Sequence, residues 1–162
     1  MNSLLRFKFF LWHFSQFKVA MIGYVRPRLI TLNEQTIVIR IPLKRRTKNH
    51  LNSMYFGALA VGADLAGGFH GLYHADLADC KVSLAFKSFQ AQFLRRPEQD
   101  VYFVCEAGGL VKAMIEETQK TGERINKPIP IIAYTNYPEK PEAVAHFTLE
   151  LSLKALSHQT KQ

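Results

Sequence analysis

Cysteine is almost missing from these 162 residues, and the two that occur, Cys80 and Cys105, rule out both a disulfide framework and a cysteine-built metal cluster. Each sits in an apolar, strand-like context where a free thiol behaves as a small hydrophobe, which suits a reducing, cytoplasmic setting. No apolar run is long enough to span a membrane. The stretch Leu4 to Phe17 comes nearest, but Arg6, Lys8 and His13 interrupt it, and no small-residue cleavage site follows. Low-complexity tracts and internal repeats are also lacking. The length suits one soluble domain with a proper core, so we expect a helical extension over residues 1–18 and a single domain over 19–162.

Acids are scarce in the first third. Residues 1–50 hold ten Lys or Arg against one acid, Glu34, a local charge of +9 in a chain whose total is +8. Such a block serves solubility, or attracts nucleic acid, an anionic membrane surface or a phosphorylated small molecule. The basic run Lys44-Arg45-Arg46-Thr47-Lys48 carries no aromatic interleaving and no recognition motif, which argues against nucleic acid.

Taken in order, Leu4 to Phe17 reads as a helix with Leu4, Leu5, Phe9, Trp12 and Phe17 toward one side, widened by Phe10 and Phe14. It either caps the core, forms a subunit contact or lies on a membrane surface. Tyr24 to Leu32 and Thr36 to Leu43 read as a strand hairpin around Asn33-Glu34-Gln35, with Ile37, Ile39, Ile41 and Leu43 on one face. Lys81 to Arg96 reads as a long curved strand with Phe86, Phe89, Phe93 and Leu94 as core candidates, and Asp100 to Glu106 as another. Gly108-Gly109 opens a helix whose face is Leu110, Val111, Met114 and Ile115, with Gly122 as its stop. Strands over Ile129 to Thr135 and Ala143 to Lys154 follow, the last alternating Phe147, Leu149, Leu151 and Leu153 with polar residues.

Between the hairpin and the long strand lies a stretch without proline and with one charge. Residues 57–71 contain nine Gly or Ala and a single charged residue, Asp64. Each interior Gly costs a helix roughly 1 kcal/mol relative to Ala, so a helix here needs close cover. Small side chains at Gly57, Ala58, Gly62, Ala66 and Gly67 allow that approach. The element order is α+β without regular βα alternation, which favours a mostly antiparallel curved sheet wrapped around one long central helix.

Asn49 is followed after five residues by Tyr55-Phe56-Gly57, and Asp64 comes seven positions after Gly57. This spacing resembles the hotdog-fold acyl-CoA thioesterase superfamily of the phenylacetyl-CoA and 4-hydroxybenzoyl-CoA type, most closely an uncharacterised branch of it. There an asparagine, five residues, His-Gly-Gly, six residues and an acid mark the start of the central helix. Tyr55 replaces that histidine and Phe56 the first glycine. Phe93-Leu94-Arg95-Arg96-Pro97 is similar to the strand that ends near coenzyme A.

The resemblance implies an acyl-CoA thioesterase working as a homodimer, with further pairing to a homotetramer, and with coenzyme A as part of the substrate and no other cofactor. In it the Gly57 N–H polarises the thioester carbonyl and Asn49 reaches the site beside the acid. From the residues alone, Gly57 and Asp64 share a helix face roughly 10 Å apart along the axis. A first-turn N–H is unused within the helix and can face an oxyanion. Asp64 is then a general base or a nucleophile, or it bonds backbone and has no chemical role. Asn49 serves equally as a turn or cap residue. Tyr55 and Phe56 line an acyl pocket, and Lys44, Arg45, Arg46, Arg95 and Arg96 hold phosphates or remain solvated charges.

Three rivals remain. One is a non-catalytic acyl-CoA or lipid binder, favoured by Tyr55-Phe56. A second is a dehydratase, for which His50 is the only histidine near the helix start. A third is nucleic-acid binding through residues 40–48, which no aromatic interleaving or recognition motif supports. A competing constellation is a metal site at His70 and His74 with Asp76 and Asp79, but glycines surround that pair and no glutamate adjoins it. We expect no metal, and a helix end emerging into solvent there.

Overall fold

A computed structural model describes residues 3–156. The elements are α1 (Ser3–Phe17), α2 (Ala20–Val25), β1 (Arg28–Leu32), β2 (Ile37–Ile41), α3 (Phe56–Leu77), β3 (Lys81–Phe93), β4 (Val101–Cys105), α4 (Gly108–Thr121), β5 (Ile125–Thr135) and β6 (Glu142–Leu156). The six strands make one antiparallel sheet in the order β1-β2-β4-β5-β6-β3. This is the mixed α+β class that the element order suggested.

Local chemistry accounts for the hairpin and for the last strand. The Asn33 side-chain carbonyl accepts from the Gln35 and Thr36 N–H groups at 2.9 and 2.8 Å, which turns β1 into β2. In β6 the period-two pattern places Phe147, Leu149, Leu151 and Leu153 in the core. Each such side chain contributes about 1.5–3 kcal/mol on full burial.

α3 packs against strands β2 to β6 and buries most of its circumference. Its small residues permit this. A Cβ at Gly62 would stand 2.2 Å from the fully buried Phe103 ring of β4, so only glycine lets helix and strand approach here. α4 buries Val111, Met114, Ile115 and Thr118, and it stops at Gly122, whose φ of 71° is left-handed.

The start of α4 is locked onto the β1–β2 turn. Gly108 N–H donates to the Gln35 carbonyl at 3.2 Å, and a Cβ on Gly108 would lie 1.9 Å from the Glu34 carbonyl oxygen. That oxygen cannot move aside, because His74 of α3 also bonds it at 3.0 Å. Gly108→Ala is therefore expected to destabilise by about 2–3 kcal/mol and lower Tm by roughly 5–10 °C. Gly109→Ala is the control, since its Cβ would come no closer than 3.5 Å to the movable Gln35 side chain. Equal melting temperatures for the two variants would disprove the lock.

Four expectations need correction. α1 buries Phe7, Leu11 and Ser15, and Leu5, Phe9, Trp12 and Phe17 face outward, because a nearly all-apolar helix leaves its inner side to be chosen by tertiary packing. Residues 20–25 form the short helix α2, and the strand begins only at Arg28. β3 is an edge strand, so Phe89, Phe93 and Leu94 are exposed within this one chain and Phe86 is half-buried, with a register shift between Phe86 and Phe89. His70 and His74 do not emerge into solvent. Both are buried, with His70 bonding the Cys105 carbonyl at 3.1 Å. A smaller departure concerns α4, where Leu110 lies outside the buried face.

Candidate functional site

One stripe of α3 is less buried than the rest. Gly57, Ala60, Val61, Asp64, Gly68 and Leu72 are half-buried at spacings of three and four, while the residues between them are buried. Gly57 and Asp64 thus share the open face of the helix, two turns apart.

The Asp64 carboxyl receives no hydrogen bond and no ion pair from the described residues. Burial pushes its pKa above the usual carboxylate range, and no opposite charge offsets that. A carboxyl left in this state stabilises nothing within the chain.

At the helix start, Tyr55 is the N-cap residue in an extended conformation, and its side chain does not cap. The Ala58 and Leu59 N–H groups both bond the Tyr55 carbonyl, at 2.9 and 3.2 Å. Those of Phe56 and Gly57 have no acceptor among the described residues. They are first-turn donors at the positive end of a 22-residue helix, the setting in which backbone N–H groups bind oxyanions. The Tyr55 ring lies against this point, since a Cβ on Gly57 would stand 2.7 Å from Tyr55 Cε1.

Beside the helix start lies a cavity of about 410 Å³, whose lining includes Asn49, Tyr55, Phe56, Phe93, Arg95 and Arg96. Two backbone bonds assemble it. Met54 N–H donates to the Pro97 carbonyl at 2.8 Å, which joins the end of β3 to the helix start, and Tyr55 N–H donates to Thr47 at 2.8 Å, which brings in the basic loop. The structure therefore gathers five of the sequence-selected residues, Asn49, Tyr55, Phe56, Arg95 and Arg96, around one cavity. Gly57 and Asp64 continue from it along α3.

The remaining candidates stand apart. Lys44, Arg45 and Arg46 are exposed and do not line this cavity. Arg46 instead lies over the Tyr24 ring, 5.2 Å from its centroid, and donates to the Tyr24 carbonyl at 3.2 Å. Arg95 pairs with Glu142 at 3.4 Å in an exposed bridge. The Asn49 side chain is used locally, its carbonyl accepting from the Leu51 and Ser53 N–H groups at 2.9 and 3.2 Å and its amide donating to Ser53 Oγ at 3.0 Å. Sequence reasoning did not connect Leu59 with this cavity. Its place one turn after Tyr55 on an apolar helix was the available signal. Among the described residues no group of three or more His, Cys, Asp or Glu is placed to hold a metal ion.

No family model matches the chain, and neither does any curated protein. Solved structures do. A Pseudomonas aeruginosa protein of unknown function, described as a "probable thioesterase", aligns with a TM-score of 0.74 at 22% identity, over 89% of this chain and 93% of its own. A Haemophilus influenzae thioesterase aligns with a TM-score of 0.68 at 14% identity, over 99% and 96%. Thioesterase superfamily member 2 of zebra fish gives 0.64 at 8% identity, over 96% and 99%. These neighbours are hotdog-fold proteins of the thioesterase superfamily, and at such identities the likeness is one of fold.

Proposed function

We propose, from this shared fold and from the state of Asp64, that the protein is a hotdog-type thioester hydrolase acting on an acyl-CoA, with the sheet curved around α3 as its central helix. The observation that carries the reading is a desolvated carboxyl without a partner on the same helix face as a free first-turn N–H. A thioester carbonyl placed at the Gly57 N–H gains stabilisation as its oxygen becomes negative. Asp64 takes a proton from water as that water attacks the carbonyl carbon, or attacks it directly to give an anhydride that water then opens. Either way the C–S bond breaks, the free acid forms, and the coenzyme A thiolate leaves and takes up a proton.

The acyl group, fatty or aromatic, lies among Tyr55, Phe56 and Phe93. Of the five cations assigned to the coenzyme A phosphates, Arg96 lines the cavity and has no ion-pair partner among the described residues, and Arg95 lines it while paired with Glu142. Lys44, Arg45 and Arg46 reach the phosphates only from the loop outside it, Arg46 being partly engaged by Tyr24. Asn49 holds the loop before α3 in shape.

A homodimer completes the site in this reading. The outer edge of β3 has no strand partner among the described residues, and the exposed Phe89, Phe93 and Leu94 lie along its cavity end. Pairing that edge with a second copy covers these residues and encloses Asp64, and further pairing gives a tetramer.

One observation favours a second reading, a non-catalytic acyl-CoA binder, namely that the Tyr55 ring occupies the approach to Gly57. Free-thiol release from short, long and aromatic acyl-CoAs separates the two. Turnover of at least one of them is expected. Saturable binding across the panel with no thiol release would replace the hydrolase with the binder.

A further inference from the structure

An exposed apolar surface lies at the other end of the sheet from β3. α1 and α2 pack by β1, and Phe9, Trp12, Phe17 and Met21 are 65, 54, 68 and 62% exposed. The three aromatic rings adjoin one another. Phe9 and Trp12 stand 5.7 Å apart, and Trp12 and Phe17 meet edge-on at 6.2 Å. Leu5, Phe9 and Trp12 follow helical spacing on the side of α1 opposite Phe7 and Leu11. An isolated exposed aromatic needs no explanation, but a contiguous set on one helix does.

The charge beside this stripe is of one sign. Residues 1–33 contain no acid. Arg6 is paired with Asp76, whereas Lys8, Lys18, Arg26 and Arg28 have no carboxylate partner among the described residues. Trp12 and Lys8 line a cavity of about 610 Å³ together with Arg26, Arg28 and the exposed Ile30. An indole and an aliphatic side chain thus meet three cations without a carboxylate partner among the described residues, and Arg40, which is paired with Asp100, around one concave surface wide enough to seat phosphate groups.

We infer that the α1–α2 face docks onto an anionic phospholipid bilayer, with Leu5, Phe9 and Trp12 entering the acyl boundary and Lys8, Arg26 and Arg28 meeting lipid phosphates. A helix with aromatics on one side and flanking cations lies in the interface plane, and its binding sums buried apolar area and attraction to negative lipid. No helix among the described residues is long and apolar enough to cross a membrane, so the contact is superficial. A dimer formed through β3 leaves this face open, because β1 and β3 are opposite edges of the sheet.

Trp12 is the only tryptophan in the chain, so its fluorescence reports on this face alone. The intact protein is mixed with vesicles of phosphatidylcholine, and with vesicles of equal parts phosphatidylcholine and phosphatidylglycerol. Trp12 emission is expected to shift to the blue, and the protein to co-sediment, only with the anionic vesicles, and added salt weakens both effects. Phe9→Ser and Lys8→Glu, both exposed changes checked by circular dichroism, are each expected to weaken partitioning by about tenfold.

Three results would overturn the proposal. The first is no shift and no sedimentation. The second is an equal shift with free glycerol phosphate, which would make the cavity an anion site. The third is a concentration-dependent shift without lipid that Phe9→Ser abolishes, which would assign the face to a second copy of the chain.

Discussion

Asp64→Asn is expected to slow acyl-CoA hydrolysis by about 10²–10⁴-fold and to leave the protein as stable as before or more stable. The two effects share one cause. Burial raises the Asp64 pKa, and nothing among the described residues compensates. The folded state therefore holds the proton more tightly than the unfolded state does. Stability from this group is fully present below the ordinary carboxylate pKa and is lost as pH rises through the raised value. At neutral pH the ionised carboxylate opposes folding, and asparagine, which has no charge to desolvate, removes that opposition. The gain in Tm over wild type should thus grow from acid to neutral pH. The same shift places the acid limb of the wild-type pH–rate profile above the usual Asp range. An unchanged rate in the variant would remove Asp64 from the chemistry. A fall in Tm would show that the carboxyl stabilises the fold through a contact formed in the assembly.

Most of the fold that could be read from the sequence rested on local signals. The Asn33 turn, the alternation in β6 and the Gly122 stop each depend on a few neighbouring residues, and each is present. α3 was legible in spite of its poor propensity, because a run of Gly and Ala without proline makes sense only under close cover such as Phe103 provides. What failed depended on partners far along the chain. The inner side of α1 is chosen by ring contacts from Phe7 to Phe69 and Tyr73, more than sixty residues away, and a helix apolar nearly all round carries no signal to break the tie. The aromatics of β3 look like core residues, but their strand ends up at an edge, a matter of topology.

The candidate site divides along the same line. The spacing of Gly57 and Asp64 was visible, and so was the apolar poverty of charge around them. That Asn49 uses its amide within its own turn, that Tyr55 lies over Gly57, and that Met54 and Pro97 bring Arg95 and Arg96 to the helix start are consequences of packing. Sequence spacing does not encode them.

The two histidines of α3 show what such packing does to a side chain whose average behaviour is intermediate. His70 is fully buried. Its Nε2–H donates to the Cys105 carbonyl at 3.1 Å, which fixes the tautomer and leaves Nδ1 buried and without a partner. The His74 ring stacks 5.9 Å away and bonds the Glu34 carbonyl. Desolvation pushes the His70 pKa down to about 4; the carbonyl bond opposes this and the proximity of His74 adds a little to it. His74 is shifted in the same direction, chiefly by burial. Above pH 6.5 both rings are neutral in the folded and unfolded states, and the histidines cost the fold nothing. As pH falls from 6.5 toward 4 the unfolded chain takes up a proton at His70 and the folded chain does not, so stability is lost through that window. The gap of about 2.5 pH units between those values corresponds to a loss on the order of 3 kcal/mol. Asp64 acts in the opposite sense, so the test is a difference between variants. His70→Gln keeps a donor for Cys105 and cannot titrate. It is expected to be no more stable than wild type at pH 7 and to gain on it steadily in urea unfolding down to pH 4. Parallel pH profiles for the two proteins would mean that water or a hydrogen-bond acceptor reaches the protonated Nδ1, and that α3 packs less tightly against β4 than the Phe103 contact with Gly62 requires.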